Sequence, residues 1–245
     1  MPSRPSLRSV HSVMTMDPLV LMTDVDAATE RLVRTAADLD PDVTRPSALP
    51  GWSVGHVLTH VARNADAYTN LLFWARTGTE TPAYPGPDAR AEGIEAGAGR
   101  PLREQLEDIR AAHERFADAA AAMPAEGWTF HLPPTGRSAA AVPWARLREV
   151  EVHHVDLGAG YTGADWSDAF ALRLLREIAG DLTLPLVLRP HGTEHPLLTA
   201  GPDPDTAPQV SGPTRSLAAW LSGRGDGADL TVSPDGELPA LPRWK

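Results

Sequence analysis

The chain contains no cysteine among its 245 residues. No disulfide is possible, so nothing argues for an exported, oxidised fold. The same absence narrows the chemistry. A thiol nucleophile has to arrive from outside, and a bound metal would have only nitrogen and oxygen ligands from the protein. No apolar run is long enough to cross a bilayer. Basic charge is scarce as well: 22 Lys+Arg stand against 32 Asp+Glu, a formal net charge of -10 at pH 7. A nucleic-acid partner, which calls for a basic patch, is therefore not expected. No block of like charge reads as an interaction tail, and there is no internal repeat or long low-complexity tract. The opening "MPSRPSLRSVHSVMTMDP" has basic residues but lacks the apolar centre of a secretory signal. It reads as a loose extension over residues 1–18, or as translation begun upstream of a start near Met14 or Met16. Together these absences point to a cytoplasmic protein.

What is present is a helical pattern. Hydrophobic residues make up 42% of the chain, enough for one large domain or two small ones. "TDVDAATERLVRTAADLD" predicts a first helix opened by a capping box from Thr23 to Asp26, with Val25, Ala28, Leu32 and Leu39 at helical spacing. A second helix runs from a Ser53 cap to about Thr77, stopped by Gly78. Its apolar stripe is Val54, Val57, Leu58, Val61, Ala65, Tyr68 and Leu72. The linker "TPAYPGPD" leads into a short helical piece at Asp88–Ala96. A third long helix starts at Pro101, with Leu102, Leu106, Ile109, Phe116 and Met123 as its stripe and Pro124 as its end. "WTFHLPPTGRSAAAV" reads as a loop or short hairpin. A fourth long helix runs from Pro143 to about Leu157 and ends at Gly158 and Gly160.

Four amphipathic helices predict a bundle over residues 19–160. The pattern then changes. After a helix at about Trp166–Leu182, short apolar runs stand between prolines: "PLVLRP", "HPLLTA", "PQVSG" and "DLTVSP". With "PTRSLAAWLSGR" as a helix among them, residues 161–245 predict a small α/β domain, and the whole an α+β chain.

The fourth long helix carries "LREVEVHHVDLG", in which Glu149, Glu151, His153 and His154 crowd together. Glu149 and His153 stand at i, i+4, which puts both side chains on one face and suits a shared ion. A solvated Glu–His pair would show the same spacing. Phase leaves the matter open: Glu149, His153 and Asp156 share one face, while Leu147, Glu151 and His154 share another. On the second helix His56 points nearly opposite the apolar stripe and is expected to be exposed. His60 lies on the stripe's flank and can turn inward. One Glu and two His would leave a zinc coordination position open, as in a catalytic site. His113 falls on a core stripe and reads as a satisfied core histidine or as a partner to a ligand. Arg90 and Arg224 sit in Pro- and Gly-rich surroundings, where a guanidinium could fork to a carboxylate. His191 and His195 flank a turn and are expected to be exposed.

Four stretches, "LPGWSVGHVLTHVARNADAYTNLLFWARTGTETPAY", "REVEVHHVDLG", "SGRGDG" and the closing "LPRW", resemble the mycothiol-dependent maleylpyruvate isomerases of the DinB-like metal-binding bundle superfamily. The resemblance runs from about Asp24 to the C-terminus. It implies an N-terminal four-helix DinB-like bundle followed by a domain resembling sterol carrier proteins. It also implies zinc ligands at His60, Glu149 and His153, and substrate-binding arginines at Arg90 and Arg224. The family pattern has an apolar or aromatic residue where Glu151 stands and a small one where His154 stands. Its cofactor is mycothiol, a sugar-linked cysteine thiol, whose thiolate adds to the cis double bond of maleylpyruvate. The resulting single bond rotates, and the thiol leaves to give fumarylpyruvate. Two other readings share these residues: a mycothiol S-transferase acting on another electrophile, and a non-enzymatic metal-stabilised binding protein. A monomer with a small electrophilic substrate and a low-molecular-weight thiol as its partners is expected.

Overall fold

The computed structural model describes residues 18–133, 135–192, 197–201, 207–242 and 244. Four long helices form the N-terminal part: α1 (Pro18–Ala37), α2 (Val54–Thr77), α4 (Leu102–Ala121) and α5 (Val142–Asp156), with the short α3 (Ala89–Ala98) between the second and third. α2 packs chiefly on α4, and α1 on α5. Each long helix turns one apolar stripe inward. Leu58, Val61, Ile109, Phe116, Leu32 and Val150 are fully buried there, each large side chain contributing about 1.5–3 kcal/mol.

The helix ends follow local chemistry. Ser53 caps α2: its hydroxyl accepts the His56 N–H at 3.3 Å, while the His56 ring Nδ1 accepts the Ser53 N–H at 3.2 Å. The histidine thus fills the glutamate's role in a capping box. α2 stops at Gly78, whose φ of 73° lets its N–H return to the Trp74 carbonyl. Pro143 sits in the first turn of α5, where a missing N–H costs nothing. Between α4 and α5 a single bridge, His131 to Ser138, makes a minimal hairpin.

The start of α1 corrects an expectation. Thr23 lies inside the helix, which is already formed at Pro18, the first described residue, so it caps nothing. The reason is burial: Leu21 and Met22 pack into the core one turn before Val25, and that extends the helix N-terminally. Residues 1–17, and with them the reading of the opening segment, lie outside the described residues, as does His195.

The C-terminal part holds α6 (Asp168–Asp181), β1 (Leu186–His191), β2 (Leu198–Ala200), β3 (Gln209–Pro213), α7 (Thr214–Leu221) and β4 (Thr231–Ser233). The sheet order is β2-β1-β3-β4. β1 and β3 run parallel in the centre, with Leu188 opposite Val210, and the two edges are antiparallel. The hydrophobic core is continuous across both parts, running from Leu21 through Trp144, Trp166 and Phe170 to Leu221. α5 and the loop after α7 therefore meet at one packed seam, and the site lies in it.

Candidate metal centre and its cleft

His60 projects from the second turn of α2, and Glu149 and His153 from one face of α5. His60 Nε2 lies 3.0 Å from Glu149 Oε2, and His153 Nε2 lies 3.5 Å from the same oxygen. One ligand atom from each of the three falls within 4.8 Å of the others. A tetrahedral ion with bonds of about 2.0–2.2 Å holds its ligand atoms about 3.3 Å apart. Two imidazoles and a carboxylate at these separations fit a zinc ion and leave a fourth position to an outside group. The two rings stand edge to face, with centroids 4.5 Å apart.

Burial and charge set the protonation states. The His60 side chain is 2% exposed. Burial pushes its pKa down to about 4, against the pull of Glu149, so the ring is neutral. Burial alone would raise Glu149, but hydrogen bonds and charge from His153 and His60 hold it well below its usual range. His153 moves the other way: burial disfavours its charge, yet hydrogen bonds to Asp156 and Glu149 raise its pKa. Without an ion, Glu149 is thus a carboxylate between the two imidazoles, with His60 neutral.

The surroundings are cationic and aromatic. Arg90, near the start of α3, brings Nη2 to 3.4 Å from His60 Nδ1 and stands over the Trp52 ring at 5.9 Å. A guanidinium only donates, so without an ion Nδ1 accepts in this contact and the Nε2–H faces Glu149; an ion bound at Nε2 would displace that proton. Trp52 also stacks on His153 and meets His60 edge-on. Arg148 lies 3.6 Å from Glu149 Oε1. A cleft of about 680 Å³ opens onto Glu149 and His153, lined among others by Trp52, Arg90, Arg148, Arg224 and Trp244.

Arg224 does not stand as a solvated loop residue. Its side chain is 8% exposed and forks onto Asp156: Nε to Oδ1 at 3.1 Å and Nη2 to Oδ2 at 2.9 Å. The His153 Nδ1–H donates to the same Asp156 at 2.8 Å. The i, i+3 spacing from His153 put Asp156 on the right face, but the sequence offered no sign of its partner. His56 is not fully exposed either: its ring is tied to Ser53 and to Glu95 at 3.2 Å, away from the cluster. His113 pairs with Asp26 at 3.1 Å. Glu151 and His154 stand apart from the cluster, with Arg31 and Tyr161. His191 is exposed at the end of β1.

Fold and site together define a class: a helical bundle with a histidine–carboxylate cluster, joined to a small α/β domain across a cationic cleft. The chain belongs to the mycothiol maleylpyruvate isomerase family. The family's N-terminal domain model matches residues 25–158, and the MDMPI C-terminal domain model matches residues 165–243. The chain is similar to the crystal structure of the mycothiol-dependent maleylpyruvate isomerase at 31% identity, covering 94% of this chain and 98% of that one, with a TM-score of 0.86. A histidine-to-alanine mutant of the mycothiol-dependent maleylpyruvate isomerase is similar at 30% identity, with the same coverage and TM-score. No curated protein matches the chain.

Proposed function

We propose that the protein is a zinc- and mycothiol-dependent cis–trans isomerase that converts maleylpyruvate to fumarylpyruvate. The observation that carries this reading is the cluster itself: His60, Glu149 and His153 converge at the wall of a cleft that also presents Arg90, Arg148 and Arg224. In this reading the three residues hold the ion and leave one position for the sulfur. Once bound together, the ion and the thiol would supply a thiolate at neutral pH, the nucleophile that reversible addition to the double bond requires. Since the chain has no cysteine, no thiol of its own competes for that role.

The chain's residues do the rest. Arg90 carries a guanidinium into the cleft, where a charge-assisted bond to a substrate carboxylate contributes about 1.5–3 kcal/mol. Arg224 adds positive charge to the same cleft while holding Asp156. Arg148 stands beside Glu149 and offsets its charge. Trp52 packs against the His60 and His153 rings at the wall of the cleft.

The test is a turnover assay on zinc-loaded protein with maleylpyruvate, with and without mycothiol. Conversion to the trans product only when thiol is added supports the reading. Full activity in thiol-free buffer overturns it. A stable thioether with a generic electrophile, and no turnover of maleylpyruvate, would make the protein a transferase instead. His60→Ala should lose bound zinc, measured by metal analysis. His56→Ala should keep it, because His56 faces Ser53 and Glu95.

A further inference from the structure

We infer that Asp156 and Arg224 form a positioning relay for the metal centre, through which the C-terminal domain sets the metal affinity of the bundle. The inference rests on the proposed role of His153 as a ligand and gives that role a cause. Asp156 is the last residue of α5, and its side chain is 3% exposed. It receives three donors: His153 Nδ1 at 2.8 Å, Arg224 Nε at 3.1 Å and Arg224 Nη2 at 2.9 Å. An imidazole whose Nδ1–H is committed to a carboxylate presents its Nε2 lone pair in a fixed direction. Here that direction is toward Glu149 Oε2, 3.5 Å away.

Arg224 is itself ordered by its own domain. Gly223, with a φ of 71°, turns the chain after α7. The Arg224 N–H then returns to the Ala219 carbonyl at 2.8 Å, and Nη1 reaches the Ser222 carbonyl at 2.6 Å. The guanidinium reaches Asp156 as a preset fork, and the fork fixes which carboxylate oxygen faces His153. A buried carboxylate held by His153 alone could rotate and take the imidazole with it. Arg224 is therefore a positioning residue for the metal site in addition to any contact it makes with substrate.

The test compares full-length wild type with Asp156→Ala, Asp156→Asn, Arg224→Gln, the double variant Asp156→Ala/Arg224→Gln, and His60→Ala. Zinc affinity is read by competition with a chromogenic chelator, and the thermal midpoint is read without metal. Loss of an outer partner of a ligating histidine weakens metal binding about 10- to 100-fold, and that loss is expected for Asp156→Ala. Arg224→Gln is expected at the low end of that range, and the double variant should bind no more weakly than Asp156→Ala alone, because Arg224 acts through Asp156. Asp156→Asn keeps the shape and one acceptor oxygen, so it reports on affinity even if the alanine variant folds poorly. Wild-type zinc affinity in Asp156→Asn and Arg224→Gln, with only the thermal midpoint lowered, reduces the pair to a structural salt bridge and overturns the relay. Losses that add in the double variant overturn it too. If His60→Ala still abolishes zinc binding in either case, the metal centre stands and the relay alone has failed. If wild type binds no zinc, both fall.

Discussion

Glu151 and His154, the second acid and second histidine of α5, do work of their own. Glu151 accepts from Arg31 at 2.6 Å and from the Tyr161 hydroxyl at 2.5 Å. His154 stacks on Tyr161 with ring centroids 3.7 Å apart and planes within 3°. It is 1% exposed, and neither ring nitrogen has a hydrogen-bond partner among the described residues. Burial and then the nearby Arg31 charge push its pKa down to about 4 from 6.5. The folded protein thus keeps His154 neutral, while the unfolded chain takes up a proton below about pH 6.5. This contribution to stability is complete above pH 6.5 and is lost as the pH falls toward 4. Its ceiling is on the order of 3 kcal/mol, at 1.36 kcal/mol for each pKa unit. His154→Phe keeps the stacked ring and removes the titration. Denaturant unfolding with chelator present, at pH 7.5 and pH 5, should show a smaller acid loss in the variant than in wild type. Equal losses would mean that His154 is not the group responsible.

Among the elements, the placement of α3 matters most for the site, because α3 carries Arg90. It lies on α2 with no room to spare. A Cβ at Gly55 would come 1.9 Å from the Ala98 carbonyl oxygen, and one at Gly97 would come 2.5 Å from Thr59 Cγ2. Gln105, from α4, closes the end of α3: its Nε2 lies 3.1, 3.0 and 3.0 Å from the carbonyls of Gly97, Ala98 and Arg100. Gly55→Ala therefore has to push α3 away from α2. Overpacking of this kind costs about 1–3 kcal/mol, and the displaced α3 takes Arg90 with it. The variant should show a lower thermal midpoint together with a raised KM for the anionic substrate. An unchanged KM would mean that Arg90 tolerates movement of its helix.

At the scale of the whole molecule, the seam between bundle and sheet is held by more than apolar packing. Glu177 of α6 takes the Trp144 Nε1–H at 2.5 Å and is paired with Arg148, both from α5. Arg173 covers the other side of Trp144 at 4.2 Å. Of these, Arg148 also lies 3.6 Å from Glu149. Glu177→Ala removes the partly buried partner of Arg148, which keeps Glu149 and the Trp244 ring, so the loss should fall below the ~3–5 kcal/mol of a fully buried pair. Glu177→Gln keeps an acceptor for Trp144 and should cost less. Urea unfolding monitored by tryptophan fluorescence orders the two variants, and equal stability would argue that the seam is held by its apolar contacts alone.

Much of this organisation was written in local pattern. A 3.6-residue apolar period marks α2 and α4 without any knowledge of their neighbours, since each helix must bury its own stripe. Prolines and glycines mark the ends of α2 and α5 and the short strands of the second part for the same local reason. The i, i+4 spacing alone puts Glu149 beside His153. The start of α1 was not legible, because Thr23 looks like a cap until Leu21 and Met22 are seen to be buried. Distance along the chain hid the rest. Nothing in the spacing joins His60 to Glu149, 89 positions apart, or Arg224 to Asp156, 68 positions apart. Those pairs exist because α2 crosses α5 and because the loop after α7 docks against the end of α5. Packing made those contacts: Arg224 becomes a buried fork because the loop after α7 brings it onto Asp156 in the other half of the fold.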